Sequence, residues 1–130
     1  MEIRRFGDAI IANCTLMKMN IKDKFEFIYT TPDEFEEEIF EDHKKIVCQM
    51  KPDHLVVVPG RVSIEAAEKF YEELKKEVPD AEFIPLKYDL NERIEKLSEY
   101  VRNSDYNSII ITGCGDEYAF WDLLKNNLKK

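Results

Sequence analysis

Positive charge is scarce in this chain: 19 lysines and arginines face 27 aspartates and glutamates, leaving a net charge of −8. A protein with that balance does not attract polyanions as a whole, so duplex nucleic acid is not expected as a partner and any phosphate site must be local. Cysteine is scarce too. Cys14, Cys48 and Cys114 show no CxxC spacing, which argues against a disulfide framework or a zinc knuckle. No apolar run approaches the roughly 20 residues that a bilayer requires, and the opening MEIRRF lacks the apolar segment of a signal peptide. A cytoplasmic protein with no membrane partner is therefore expected. Glycine is the fourth scarcity: of four in the chain, two flank Cys114, at Gly113 and Gly115.

What the chain does have is apolar content, 44% against 35% charged, enough for one domain over residues 1–130 with its own core. The pattern along it is strand, turn, amphipathic helix, repeated. Residues 3–6, the turn Gly7-Asp8 and residues 9–21 suggest a β-hairpin extension over residues 1–24, the glycine-polar pair suiting a two-residue turn. Four β-α units are expected over residues 25–130. Strands are predicted at 25–29, 55–58, 81–88 and 108–112, with Pro85 marking the third as an edge strand. Thr31, Pro32 and Glu34 form a helix-start signal with a capping box, Ser63 is a cap for the second helix, and Asp89 pairs with Glu92 at the third. Inner stripes are predicted at Phe35, Ile39, Ile46, Val47 and Met50; at Ile64, Ala67, Phe70, Tyr71 and Leu74; at Ile94, Leu97 and Val101; and at Trp121, Leu124 and Leu128. Leu55-Val56-Val57-Val58 is apolar on both faces, as a strand between two helical layers must be. The fold class follows: α/β, Rossmann-like, a mainly parallel doubly wound sheet of four β-α units with an N-terminal β-hairpin.

In such a sheet ligands bind beyond the carboxyl ends of the strands, where the strand order reverses. Two loops there are equipped for it. Residues 59–63 offer Gly60, Arg61 and Ser63 at a helix N-terminus, suitable for one phosphate. Residues 112–117 offer Thr112, Gly113, Cys114 and Gly115, the glycines allowing close approach to the backbone. Neither loop carries GxGxxG or GxxxxGK[ST], so a Rossmann dinucleotide site and a Walker NTPase are disfavoured. Asp33, Glu34, Asp89, Asp116 and Glu117 fall on the same edge, where carboxylates could hold Mg²⁺ or Mn²⁺, although Asp33, Glu34 and Asp89 also occupy capping positions. Cys114 precedes a helix start that favours a thiolate, but no histidine is placed to serve it. His54 precedes its strand at the opposite edge, and His43 is expected at the surface or in packing between helices.

From Phe25 to Asn127 the chain resembles a CARF domain, the Rossmann-like sensor of CRISPR systems. The resemblance lies in the four β-α units, a loop after the first strand, and IIITGCGDEYAF, where the family has an aliphatic strand ending in a TGGTK-like loop. Thr112 and Gly113 fit that loop, Cys114 stands at its second glycine, and Gly115-Asp116 at its Thr-Lys pair. The resemblance implies an antiviral-defence protein that binds a cyclic oligoadenylate across the twofold of a homodimer. Without an effector domain it would act as a stand-alone binder or a ring nuclease, needing no cofactor. Cleavage would then be in-line attack by a ribose 2′-hydroxyl. TGCGDEY is similar, more distantly, to the last core loop of PIN/NYN-type nucleases. That likeness implies a metal-dependent ribonuclease using Asp89, Asp116 and Glu117 with Mg²⁺ or Mn²⁺. The third reading is a non-enzymatic module whose acidic surface and hairpin engage a protein.

Overall fold

The computed structural model describes residues 2–6, 24–31, 37–60, 63–86, 90–112 and 118–129. Five strands, β1 (Glu2–Phe6), β2 (Phe25–Thr30), β3 (His54–Val58), β4 (Glu82–Phe83) and β5 (Ser108–Thr112), form one sheet in the order β1-β5-β2-β3-β4. Every pairing is parallel. Among the described residues the helices are α1 (Glu37–Met50), α2 (Ile64–Glu77), α3 (Leu90–Asn103) and α4 (Tyr118–Leu128).

Alternation along the strands sorts the core into two layers. Phe25, Phe27 and Tyr29 of β2 join Leu55, Val57 and Ile110 beneath Val47 and Met50 of α1 and Phe70 and Leu74 of α2. The opposite face carries Ile28, Val56, Val58, Ile109 and Ile111 beneath Ile94, Leu97 and Val101 of α3 and Leu124 of α4. Helices on both faces of a parallel sheet make this the doubly wound α/β arrangement expected from the alternation. It also explains the unbroken Val56-Val57-Val58 run: no residue of β3 after His54 faces water.

The first strand of the N-terminal segment is part of the main sheet. β1 pairs in parallel with β5, from Glu2 opposite Ser108 to Phe6 opposite Thr112, so residues 2–6 belong to the sheet rather than to an extension beside it. The physical reason lies in β5. Ile109, Ile110 and Ile111 are buried on both faces, and an apolar strand needs a neighbour on each side to satisfy its backbone groups. Counted from β2, the order β4-β3-β2-β5 matches the 3-2-1-4 of a doubly wound sheet, and the chain's first strand fills the fifth position. The predicted turn and second strand, residues 7–21, lie outside the described residues.

β4 is an edge strand as predicted but much shorter than residues 81–88. Ile84 N–H still donates to Val57 O (3.0 Å), and Leu86 N–H then turns back to Ile84 O (2.8 Å). Pro85 has no N–H to continue the ladder, so the strand ends before it. Ser63 caps α2 as predicted, its Oγ accepting from Ala66 N (3.1 Å). The capping residues 32–36 and Asp89 lie outside the described residues.

His43 is half-buried. It packs on the sheet, Nδ1 lying 2.5 Å from the hydroxyl of the fully buried Tyr29. Burial lowers its pKa, partly offset by Asp42. Burial thus favours the neutral ring, and protonation opposes folding. The unfolded chain takes up a proton below about pH 6.5 and the native state only at lower pH, so stability is full above 6.5 and falls as pH drops through the folded value. The slope should stay well under the ceiling of about 1.4 kcal/mol per pH unit, because the partly exposed ring is screened by solvent. Urea midpoints from pH 8 to 5 check this: His43→Gln, which keeps an acceptor, should flatten that part of the profile.

Candidate functional site

The order β1-β5-β2-β3-β4 reverses between β2 and β5: the chain leaves β2 for β3 on one side and reaches β5 on the other. The carboxyl ends of these two strands therefore lie side by side, with Ile28 opposite Ile111 and the chain leaving at Thr30 and Thr112. That is where a doubly wound sheet opens a crevice.

Beside it, three polar side chains organise the end of β2. Thr31 is fully buried, donating N–H to Val58 O (3.0 Å) and accepting from Gly60 N at its Oγ1 (2.9 Å). Arg93, in the first turn of α3, is 2% exposed. Its guanidinium donates to Pro59 O and to Thr30 Oγ1 (3.3 Å), so one cation ties the ends of β2 and β3 together under the loops that follow them.

The predicted site residues are distributed as follows. Gly60 is buried, and its amide is already used by Thr31. Ser63 is exposed and engaged as the cap of α2. Thr112 ends β5 opposite Phe6. Arg61, Asp89, Gly113, Cys114, Gly115, Asp116 and Glu117 lie outside the described residues. β2 stands between β3 and β5, so the 59–63 and 112–117 loops begin two strand spacings apart, roughly 9–10 Å. Among the described residues no group of three or more His, Cys, Asp or Glu is placed to hold a metal ion, and no helix is long and apolar enough to cross a membrane. Cys48 is a free thiol whose pKa is raised, by burial first and then by Glu77, which leaves it a poor nucleophile near neutrality.

A second polar cluster occupies the opposite, amino-terminal edge. Glu26 is 2% exposed although it sits in an otherwise apolar strand. Its Oε2 lies 2.5 Å from His54 Nδ1 and accepts from Tyr100 Oη (2.8 Å), while Oε1 accepts from Ser104 Oγ (3.0 Å). His54 Nε2 lies 3.2 Å from Glu82 Oε1, and its ring is nearly parallel to Tyr106. The Tyr100 phenol is pushed well above its usual pKa range by burial, then by its hydrogen bond to Glu26. These groups border a cavity of about 590 Å³, within the roughly 300–1,000 Å³ of small-molecule sites.

Sequence reasoning passed over this cluster and Arg93, yet each left a signal. Glu26 interrupts the apolar run FEFIYT, and Arg93 sits on the inner stripe of α3 with Ile94, Leu97 and Val101. A charge in a buried pattern is retained only when something pairs with it. No protein-family model matches the chain, and no curated protein matches it in sequence.

Proposed function

We propose that the protein binds a small nucleotide in the crevice between the carboxyl ends of β2 and β5, and that the ligand is a cyclic oligonucleotide of the oligoadenylate class. The observation that carries this reading is the reversal of strand order at β2 and β5, since doubly wound sheets take their ligands at that point. Three features of the edge support it. A glycine-flanked loop, residues 113–117, follows β5 and leads into α4. The buried Arg93 ties the ends of β2 and β3 together at that edge, and α2 presents a capped N-terminus, whose dipole favours an anion. In a protein of net charge −8 such a local site is the available way to hold a phosphate. The resemblance of IIITGCGDEYAF to the CARF loop adds the ligand class, a homodimer sharing it across the twofold, and a role as stand-alone sensor or ring nuclease.

Thermal shifts with cyclic tri-, tetra- and hexa-adenylate, with Mg²⁺ and Mn²⁺ as separate arms, test the proposal. Stabilisation follows RT ln(1 + [L]/Kd), so a ligand at about 100 times its Kd should add roughly 2.7 kcal/mol. Gly113→Val should abolish that response and leave the unliganded melting curve in place. A response to the metals alone would instead favour the metal-dependent nuclease. No response in any arm would remove the nucleotide reading.

A further inference from the structure

We propose that the cavity at the amino-terminal edge of the sheet is a second site, one that binds a small organic cation: an ammonium or guanidinium carried on an apolar or aromatic body. The site is independent of the nucleotide crevice. α3 links the two edges, and the 11 residues from Arg93 to Ser104 place them roughly 16 Å apart.

The charge of the lining points to a cation. Glu26, Glu82, Glu99 and Asp105 all border the cavity. Lys96 also borders it, but its ammonium is turned along its own helix to Glu92 (3.2 Å). Arg102, in the last turn of α3, is turned away to Asn127 O. α3 ends at Asn103, which lines the cavity, so the negative end of the helix dipole adds to the carboxylates. His54 has a carboxylate oxygen at each of its ring nitrogens.

The walls point to an organic rather than an inorganic cation. Tyr100, Tyr106 and Ile84 supply aromatic and aliphatic surface, and the face of a tyrosine attracts an ammonium or guanidinium in addition to its carbon body. The negative field is also felt by the phenols. Tyr100 and Tyr106 both titrate above the usual range, burial being the first cause in each and Glu26 a further one. The cavity is far larger than a bare ion needs, and no group of three or more His, Cys, Asp or Glu among the described residues is arranged to ligate one.

The test uses the full chain and three probes of one shape: phenethylamine, its neutral isostere 2-phenylethanol, and the anion phenylacetate. Amide and aromatic NMR signals of His54, Tyr100, Ser104 and Tyr106 are followed on titration. Phenethylamine should shift them saturably, 2-phenylethanol much less, and phenylacetate not at all. Removing Glu26 would disturb the fold, so the exposed carboxylates serve instead: Glu82→Gln with Glu99→Gln should weaken phenethylamine binding by about five- to tenfold. The proposal is overturned if amine and alcohol shift the signals alike. It is equally overturned if the shifts map elsewhere, if the double variant binds phenethylamine unchanged, or if Mg²⁺ or Zn²⁺ displaces the amine from these signals.

Discussion

Arg93→Met should lower the free energy of unfolding by about 2–4 kcal/mol, seen as a lower urea midpoint at unchanged slope. Methionine keeps much of the length and the apolar stem of arginine, so the volume of this buried position is largely retained. What goes is the fork. Pro59 O and Thr30 Oγ1 lose their guanidinium donor at a position only 2% exposed, and an acceptor left buried and unmet costs about 1–3 kcal/mol. Arg93→Lys separates charge from geometry. An ammonium is one point of contact where the guanidinium spans two strands, so lysine should recover only part of the loss. Should Arg93→Met cost less than about 1 kcal/mol, water or neighbouring groups meet both acceptors and the clamp adds little.

The clamp also shows where sequence reasoning stops. The strand-helix alternation, the burial of Ala67, Phe70 and Leu74 in α2 and of Ile94, Leu97 and Val101 in α3, the Ser63 cap and the edge position of β4 are all periodic or local features. They are legible because helix and strand periods are written in neighbouring residues. Arg93 meets Pro59 and Thr30 at separations of 34 and 63 residues. Glu26 meets His54, Tyr100 and Ser104 at 28, 74 and 78. Such pairings follow from strand order and register, which no local pattern records. The pattern could have marked both charges as anomalies without naming their partners.

The partner of β1 is hidden from the sequence for a related reason. A short strand followed by glycine and aspartate suits a hairpin locally. Its place beside β5 is dictated by the need of Ile109–Ile111 for a second neighbour, which is a property of the whole sheet. The shortening of β4, by contrast, was visible at Pro85, whose missing N–H ends a ladder as well as marking an edge. The strand order reverses between β2 and β5, a point that the strand-helix alternation by itself does not locate. The amino edge was set aside because His54 alone gave no reason to look further.

The largest loss is expected at that amino edge. Glu26→Ala should cost about 3–5 kcal/mol, since three groups lose one shared, buried partner at about 1–3 kcal/mol apiece. It leaves His54 Nδ1, Tyr100 Oη and Ser104 Oγ without their shared acceptor. Glu26→Gln keeps the shape and one carbonyl acceptor but brings an NH₂ among three donors, so it should fall between wild type and alanine. The two variants also separate charge from burial at Tyr100, whose pKa is raised first by burial and then by the hydrogen bond to Glu26. With the folded pKa above the unfolded value of about 10, stability is full below pH 10 and is lost as pH rises further toward the folded value. The slope is at most about 1.4 kcal/mol per pH unit, and less in practice because the ring is only half-buried and solvent screens it. Glu26→Gln removes the charge and leaves the burial. Its phenolate absorbance should therefore appear at lower pH than in the wild type while still lagging the unfolded chain, and its loss of stability above pH 10 should be shallower. Were the absorbance titrations of wild type and Glu26→Gln to coincide, burial alone would hold the Tyr100 proton, and Glu26 would serve only to join the amino ends of β2 and β3 to the end of α3.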